Sequence, residues 1–242
     1  MKLGYPAGPS HGYTAFAPAR EVAVLERLGR DGLYTGRWER GTWGVQPWCE
    51  GTSLWELWEP YRTVGGEPDV RTALACARAL AELHEAGWVH GDVQPAHFIV
   101  SAEGRVRLID LALARGGEVP EWCDFAFRGC LVHYESPEIS RSVLATGEAV
   151  PTPASDVFAF GASLFMSLTG RRVVDFPGDA DRETQRRFIA RWRRPRGEVP
   201  GALGRLVEAM VSPSPADRPG MAEVCAGFGR AQASGGRMPT GS

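Results

Sequence analysis

His90-Gly91-Asp92-Val93-Gln94-Pro95-Ala96-His97, followed by Leu108-Ile109-Asp110-Leu111-Ala112, is the most informative part of the chain. Asp92 and Asp110 lie 18 residues apart. Short apolar stretches (Trp88-Val89, His97 to Val100 and Val106 to Ile109) alternate with polar turns, so both aspartates fall at strand ends. Two carboxylates placed this way can divide labour between a base and a metal ligand. Either alone is more often a turn residue.

Working outward, the reading becomes helical on both sides. Upstream, Val70, Leu74, Ala77, Ala81 and His84 step at helical spacing over 68–86, and Gly87 ends the run. Residues 52–62 suggest a short helix. Residues 33–49 alternate aromatic and polar residues and suit two strands. Residues 20–29 read as a helix with Gly29 behind it, and 1–19 as a short strand plus loop. Downstream, Thr152 or Ser155 caps an apolar helix beginning near Asp156, which looks buried all round. Further helices are expected over roughly 181–194, 201–211 and 219–230. The last twelve residues read as disordered. Strands early and helices late give an α+β layout.

Composition sets the outer bounds. The chain has 242 residues, 43% hydrophobic and 23% charged, with a net charge of −2. That describes a globular chain with a real core. It argues against a generally basic nucleic-acid binder. No apolar run is long enough for a membrane span, and the first ten residues lack a signal-peptide core, so a soluble cytoplasmic protein is expected. Five cysteines without C-x-x-C indicate neither a disulfide framework nor a zinc knuckle. Of the 27 cationic residues, all but Lys2 are arginine.

In order along the chain, five motifs resemble those of the protein-kinase superfamily. His90-Gly91-Asp92 resembles the catalytic loop and Asp110-Leu111-Ala112 the metal-binding D-F-G. Ser136-Pro137-Glu138 resembles A-P-E. Asp156 resembles the aspartate opening the central buried helix, and Arg218 the arginine that pairs with the A-P-E glutamate. The resemblance runs from Lys2 to about Phe228. It implies a two-lobed fold: a reduced small lobe and hinge over 1–50, a complete helical large lobe over 51–230, and a tail over 231–242. The reduced lobe would hold the family's glutamate-bearing helix, its fourth and fifth strands and, if Lys2 is its lysine, the third.

The resemblance further implies ATP with Mg²⁺ (or Mn²⁺) between the lobes. Asp92 would accept or orient the acceptor hydroxyl proton and Asp110 would hold the metal. Lys2 and Glu21, 19 residues apart, would form the phosphate-contacting pair. Pro47 and Cys49 would meet adenine through their backbone. Gly129 to Tyr134 resembles a segment that docks protein substrates, which favours a Ser/Thr of a protein or peptide as acceptor. Small kinase-like proteins with H-G-D loops also occur in peptide natural-product modification.

Departures from the pattern leave a pseudokinase scaffold or activating subunit as the rival reading. No G-x-G-x-x-G precedes Glu21; Gly4, Gly8 and Gly12 lie in a Pro-rich stretch after Lys2. A partner protein would then complete the nucleotide site. Gly91 replaces an arginine and Gln94 a lysine. His97 stands where an asparagine binds the second metal; imidazole is a poor ligand for Mg²⁺, so His97 either binds Mn²⁺, bonds Asp92 or Asp110, or simply packs. Five tryptophans between Trp38 and Trp58, assigned to the small lobe, either fill it or mark a partner surface. The run from Arg186 to Arg196 either faces solvent or binds an acidic partner. No nucleic-acid or membrane partner is expected.

Overall fold

The computed structural model describes residues 1–6, 8–66, 68–193, 199 and 201–235. Its first layer is a three-stranded antiparallel sheet in the order β1-β3-β2, formed by β1 (Lys2–Leu3), β2 (Tyr34–Trp38) and β3 (Gly41–Val45). Lys2 pairs with Gly44 and Leu3 with Trp43. A helix, α1 (Ala17–Arg27), lies across this sheet. Pro18 stands in its first turn, and Gly29, at φ 69°, follows its end. Gly44 makes the close packing possible: a Cβ there would sit 2.8 Å from the Pro18 carbonyl oxygen. Because Gly44 is also the register partner of Lys2, the same approach brings α1 against the lysine-bearing strand.

After the Gln46–Cys49 connection the chain enters the larger part. Residues 52–62 are not one helix. They form β4 (Thr52–Ser53), then α2 (Leu54–Leu57) and α3 (Glu59–Thr63). Ser53 and Glu56 make a reciprocal capping box at α2, and Pro60 starts α3 anew. Next come α4 (Val70–Glu85), capped by Asp69, and the strands β5 (Phe98–Val100) and β6 (Val106–Leu108); β5 pairs antiparallel with β4 on one side and β6 on the other. Trp55 and Trp58 belong to this part and not to the small lobe, and Trp58 is buried in the main core. The expectation of five small-lobe tryptophans is corrected accordingly.

Helices α5 (Pro137–Thr146), α6 (Pro153–Thr169), α7 (Arg182–Arg191), α8 (Gly201–Met210) and α9 (Met221–Gly235) complete the fold. Residues 155–167 of α6 are buried without exception, as its uniformly apolar sequence requires. Thr152 and Ser155 both cap it, in a reciprocal box. The segment expected to be disordered from 231 begins as the last turns of α9; residues 236–242 lie outside the described residues. Among the described residues no helix is long and apolar enough to cross a membrane.

One ion pair ties the helices together. Arg218 donates from Nη1 and Nη2 to the two Glu138 oxygens at 2.6 and 2.8 Å. It also reaches the carbonyls of Ala154 and Ser212 and lies over the Phe158 ring. Burial pushes the Glu138 carboxyl up, but the Arg218 hydrogen bonds and charge outweigh it and hold the carboxyl below its usual 4.5. Arg218→Ala strands a half-buried carboxylate and removes a buried guanidinium with four hydrogen bonds, and should cost about 3 kcal/mol in urea unfolding. A depressed folded-state value means that this stabilisation is present above pH 4.5 and fades as pH falls through the lower folded value. Glu138→Gln should therefore show a shallower acid loss of stability than wild type.

Candidate functional site

Asp156 builds the site from below. Its buried carboxylate accepts from the His90 amide (2.7 Å), from the Gly91 amide (3.0 Å) and from His84 Nε2 (2.9 Å). Gly91 adopts φ 77°, and a Cβ there would meet the Leu113 carbonyl at 2.9 Å, so the departure from arginine suits this turn. His90 is fully buried. Its Nδ1 accepts from the Asp92 amide (3.2 Å) and its Nε2 donates to the Ile109 carbonyl (3.1 Å). Burial pushes the imidazole down, which keeps it neutral and suits this tautomer. A single ring thus joins the Asp92 loop to the residue before Asp110.

Asp110 is the one non-glycine residue at positive φ among the described residues, with φ 61° and ψ 60°. Such a conformation costs about 1 kcal/mol or more. It is held because Ile109 is fixed at both polar groups: its amide donates to the His97 carbonyl (3.1 Å) and its carbonyl accepts from His90. A 3-10 turn over Leu111–Leu113 follows at once.

The sequence-distant candidates meet here. Lys2 Nζ lies 2.7 Å from Glu21 Oε2 and 3.5 Å from Asp110 Oδ1. Burial lowers the Lys2 value, yet the charges of Asp110 and Glu21 outweigh it and leave the ammonium above its usual 10.5. Gln46 Nε2 donates to the other Glu21 oxygen at 3.3 Å. His97 Nδ1 donates to the Asp92 carbonyl (2.9 Å), so its Nε2, 3.7 Å from Asp110 Oδ2, carries the lone pair when the ring is neutral. That is the arrangement of a histidine primed as a ligand by a backbone acceptor. Asp92 itself accepts from Gln94 Nε2 (3.2 Å) and faces the Leu131 amide (3.5 Å). Burial, and next the Asp92 charge, push the nearby Tyr134 phenol up to about 12, so it stays protonated.

A cleft of about 780 Å³ opens beside this cluster, lined among others by Lys2, Gln46, Pro47, Cys49 and Ile109. No backbone hydrogen bond among the described residues engages the Pro47 carbonyl or the Cys49 amide. Donor chemistry fits a metal bound jointly with a ligand: one carboxylate and one imidazole face each other, and no cluster of three or more metal-binding side chains occurs among the described residues. Mg²⁺ characteristically takes one or two carboxylates and completes its shell with phosphate oxygens and water.

One side chain that sequence reasoning missed, Arg20, and an inward role it did not foresee, that of Arg186, matter as much. Arg20, beside Glu21, is buried; its Nε donates to Asp124 Oδ1 (2.9 Å) and its Nη1 to the Ala112 carbonyl (2.7 Å), with Phe125 packed against the guanidinium. It fastens α1 both to the turn after Asp110 and to the loop before α5. The available signal was its spacing four residues before buried Val24, on an apolar helix face. Arg186 turns inward from the arginine run and grips buried Glu135 with two hydrogen bonds of 2.8 and 2.9 Å. Trp192, in the same run, packs edge-on to Phe158 in the core. Residues 194–196 of that run lie outside the described residues.

With this geometry in hand, the comparisons are unambiguous at the level of family. The model of the protein kinase domain matches residues 39–227. The chain belongs to the protein kinase family. It is similar to serine/threonine-protein kinase PknK of Mycobacterium tuberculosis (strain CDC 1551 / Oshkosh), 28% identical over 74% of this chain and 16% of that protein. It is also similar to serine/threonine-protein kinase F of Synechocystis sp., 24% identical over 92% of this chain and 46% of the relative. A third relative is the probable serine/threonine-protein kinase PkwA of Thermomonospora curvata, 30% identical over 86% of this chain and 27% of that protein. The chain spans less than half the length of these relatives. Lys2 and Glu21 fall before the matched residues, so their part in the site rests on geometry.

Arg20→Ala leaves the Ala112 carbonyl and Asp124 without their donor. Hydrogen exchange should rise across 119–128 while α6 stays protected. Arg20→Lys should not restore protection, because an ammonium cannot reproduce the two-point grip. Unchanged exchange in the alanine variant would show that other contacts hold the loop.

Proposed function

We propose that the chain is an ATP-dependent phosphotransferase acting on Ser or Thr hydroxyls of a protein or peptide. The observation that supports this best is the meeting of Lys2, Glu21 and Asp110 beside the cleft, with Asp92 joined to Asp110 through His90 and His97. Lys2 would contact the phosphates, Glu21 would orient Lys2, and the backbone of Pro47 and Cys49 would meet the adenine. Asp110, with His97, would hold Mg²⁺ or Mn²⁺, which when bound neutralises phosphate charge. Asp92 would orient the acceptor hydroxyl and take its proton. Gln94 positions the Asp92 carboxylate but brings no charge, so less positive charge meets the transferring phosphate than a lysine would supply.

A second reading keeps the fold but not the chemistry: a scaffold or activating subunit. It is favoured by the neutral Gln94 and by β1, an edge strand in the described sheet, with Leu3 and Tyr5 exposed beside it. A partner protein completing the nucleotide site would add to that edge. Other partner contacts would be exposed Trp38 and Trp48 of the small lobe or the outward arginines of α7.

Calorimetric titration of ATP with Mg²⁺, then Mn²⁺, tests the nucleotide part. Metal-dependent binding is expected, at least tenfold weaker in Asp110→Ala and in Lys2→Ala, a loss of about 1.4 kcal/mol or more. Binding that ignores Lys2→Ala would remove Lys2 from the site. No binding at millimolar nucleotide would contradict the reading for the chain alone.

A further inference from the structure

A second concavity, of about 460 Å³, borders the segment that follows Leu131. It is lined by His133, Met166, Gly170, Arg171, Arg172 and Asp175. Its position is defined by the chain: the Leu131 amide is 3.5 Å from Asp92 Oδ1, and His133 lies two residues further on. An extended peptide rises about 3.3 Å per residue, so a substrate with its hydroxyl at Asp92 passes this pocket within a few residues.

The electrostatics of the pocket are one-sided. Two guanidinium groups and an imidazole face a single carboxylate, Asp175. The Nδ1 of His133 is buried without a hydrogen-bond partner among the described residues. Burial pushes the His133 imidazole down, and the Arg172 charge adds to that in the same direction. Arg172 is already fixed for binding: its Nη2 donates to the Phe176 carbonyl (2.9 Å), and its guanidinium lies 4.1 Å from the centre of the Phe176 ring. That grip spares the rotamer entropy of ordering the side chain on binding. Asp175 also borders the neighbouring groove of about 860 Å³ along α7, where Arg187 and Arg191 continue the basic lining.

We infer that the His133–Arg171–Arg172 pocket is a substrate-specificity site that takes an acidic side chain of the polypeptide being phosphorylated. The occupant is a Glu or Asp flanking the acceptor residue. Arg172 pairs with its carboxylate, and Arg171 adds charge at the rim. A basic flanking residue meets two guanidinium groups there and is rejected. This inference rests on the phosphotransferase reading for its biological sense, but its test does not depend on catalysis.

Two fluorescein-labelled peptides serve as probes, each with one central Ser: one flanked by Glu, its counterpart by Lys at the same positions. Fluorescence anisotropy with the full chain reads binding directly. The Glu peptide should bind at least tenfold more tightly than the Lys peptide, about 1.4 kcal/mol. Arg171→Glu, whose side chain is exposed, should reduce that preference severalfold, and Arg171→Glu/Arg172→Glu should abolish it. Arg71→Glu/Arg105→Glu, an equal charge change on α4 and the β5–β6 turn, should leave it intact. Thermal melting confirms that each variant is folded; were the double variant unfolded, Arg171→Glu alone decides. Equal binding of both peptides, no binding of either, or an equal loss in the control variant overturns the inference. Phosphoryl transfer is followed in parallel. A Glu peptide that binds in the Arg171-dependent manner but is not phosphorylated leaves the pocket standing and tells against the enzyme reading.

Discussion

The Asp156 carboxylate is the constraint on which the site depends. It sits at the start of a helix buried all round, where an unpaired charge would be costly. Two backbone amides and a histidine satisfy it, and those amides belong to His90 and Gly91. The cost of burying the carboxylate is thus offset only if the Asp92 loop adopts one conformation. His90 carries the constraint onward to Ile109, and Ile109 holds Asp110 in its strained left-handed turn. Core packing, loop shape and the orientation of the Asp92 and Asp110 carboxylates are therefore one linked system.

The small lobe reaches the same system by a different route. Its strands are few, and its helix is fixed to the larger part by a buried arginine and not by a broad apolar face alone. Arg20 binds the carbonyl just past Asp110 and the Asp124 carboxylate. The neighbouring residue, Glu21, meets Lys2. A shift of α1 would disturb both the Lys2–Glu21 pair and the turn after Asp110. Gly91, where the family has an arginine, removes one means of holding the loop before α5; Arg20 supplies another, with Arg115 also within 3.8 Å of Asp124.

Much of this was legible in the sequence, for identifiable reasons. Asp156, Glu138–Arg218 and the Asp92 and Asp110 turns are legible through the order and spacing in which they resemble the kinase motifs; alone, either turn aspartate reads as an ordinary turn residue. The α+β layout followed from periodicity. Other features were hidden because they depend on tertiary approach. Nothing in the local sequence around Arg20 or Arg186 announces an inward arginine; only packing turns them inward. Trp55 and Trp58 were misassigned because their proximity in sequence to Trp38–Trp48 hides the change of sheet between β3 and β4. The break between α2 and α3 is set by Pro60, and the extension of α9 past 231 by continued alanine-rich helix propensity against a composition that looks like a tail.

The central claim is that Asp92 and Asp110 act in one phosphoryl-transfer site. The most direct measurement follows transfer of the labelled γ-phosphate of ATP to a degenerate pool of Ser- and Thr-containing peptides, with Mg²⁺ and the full chain, for wild type and Asp92→Asn. The account predicts incorporation by wild type, reduced about a hundredfold or more in Asp92→Asn, with nucleotide affinity unchanged. Equal incorporation by both proteins, or none by a wild type that binds Mg²⁺–ATP, would contradict it.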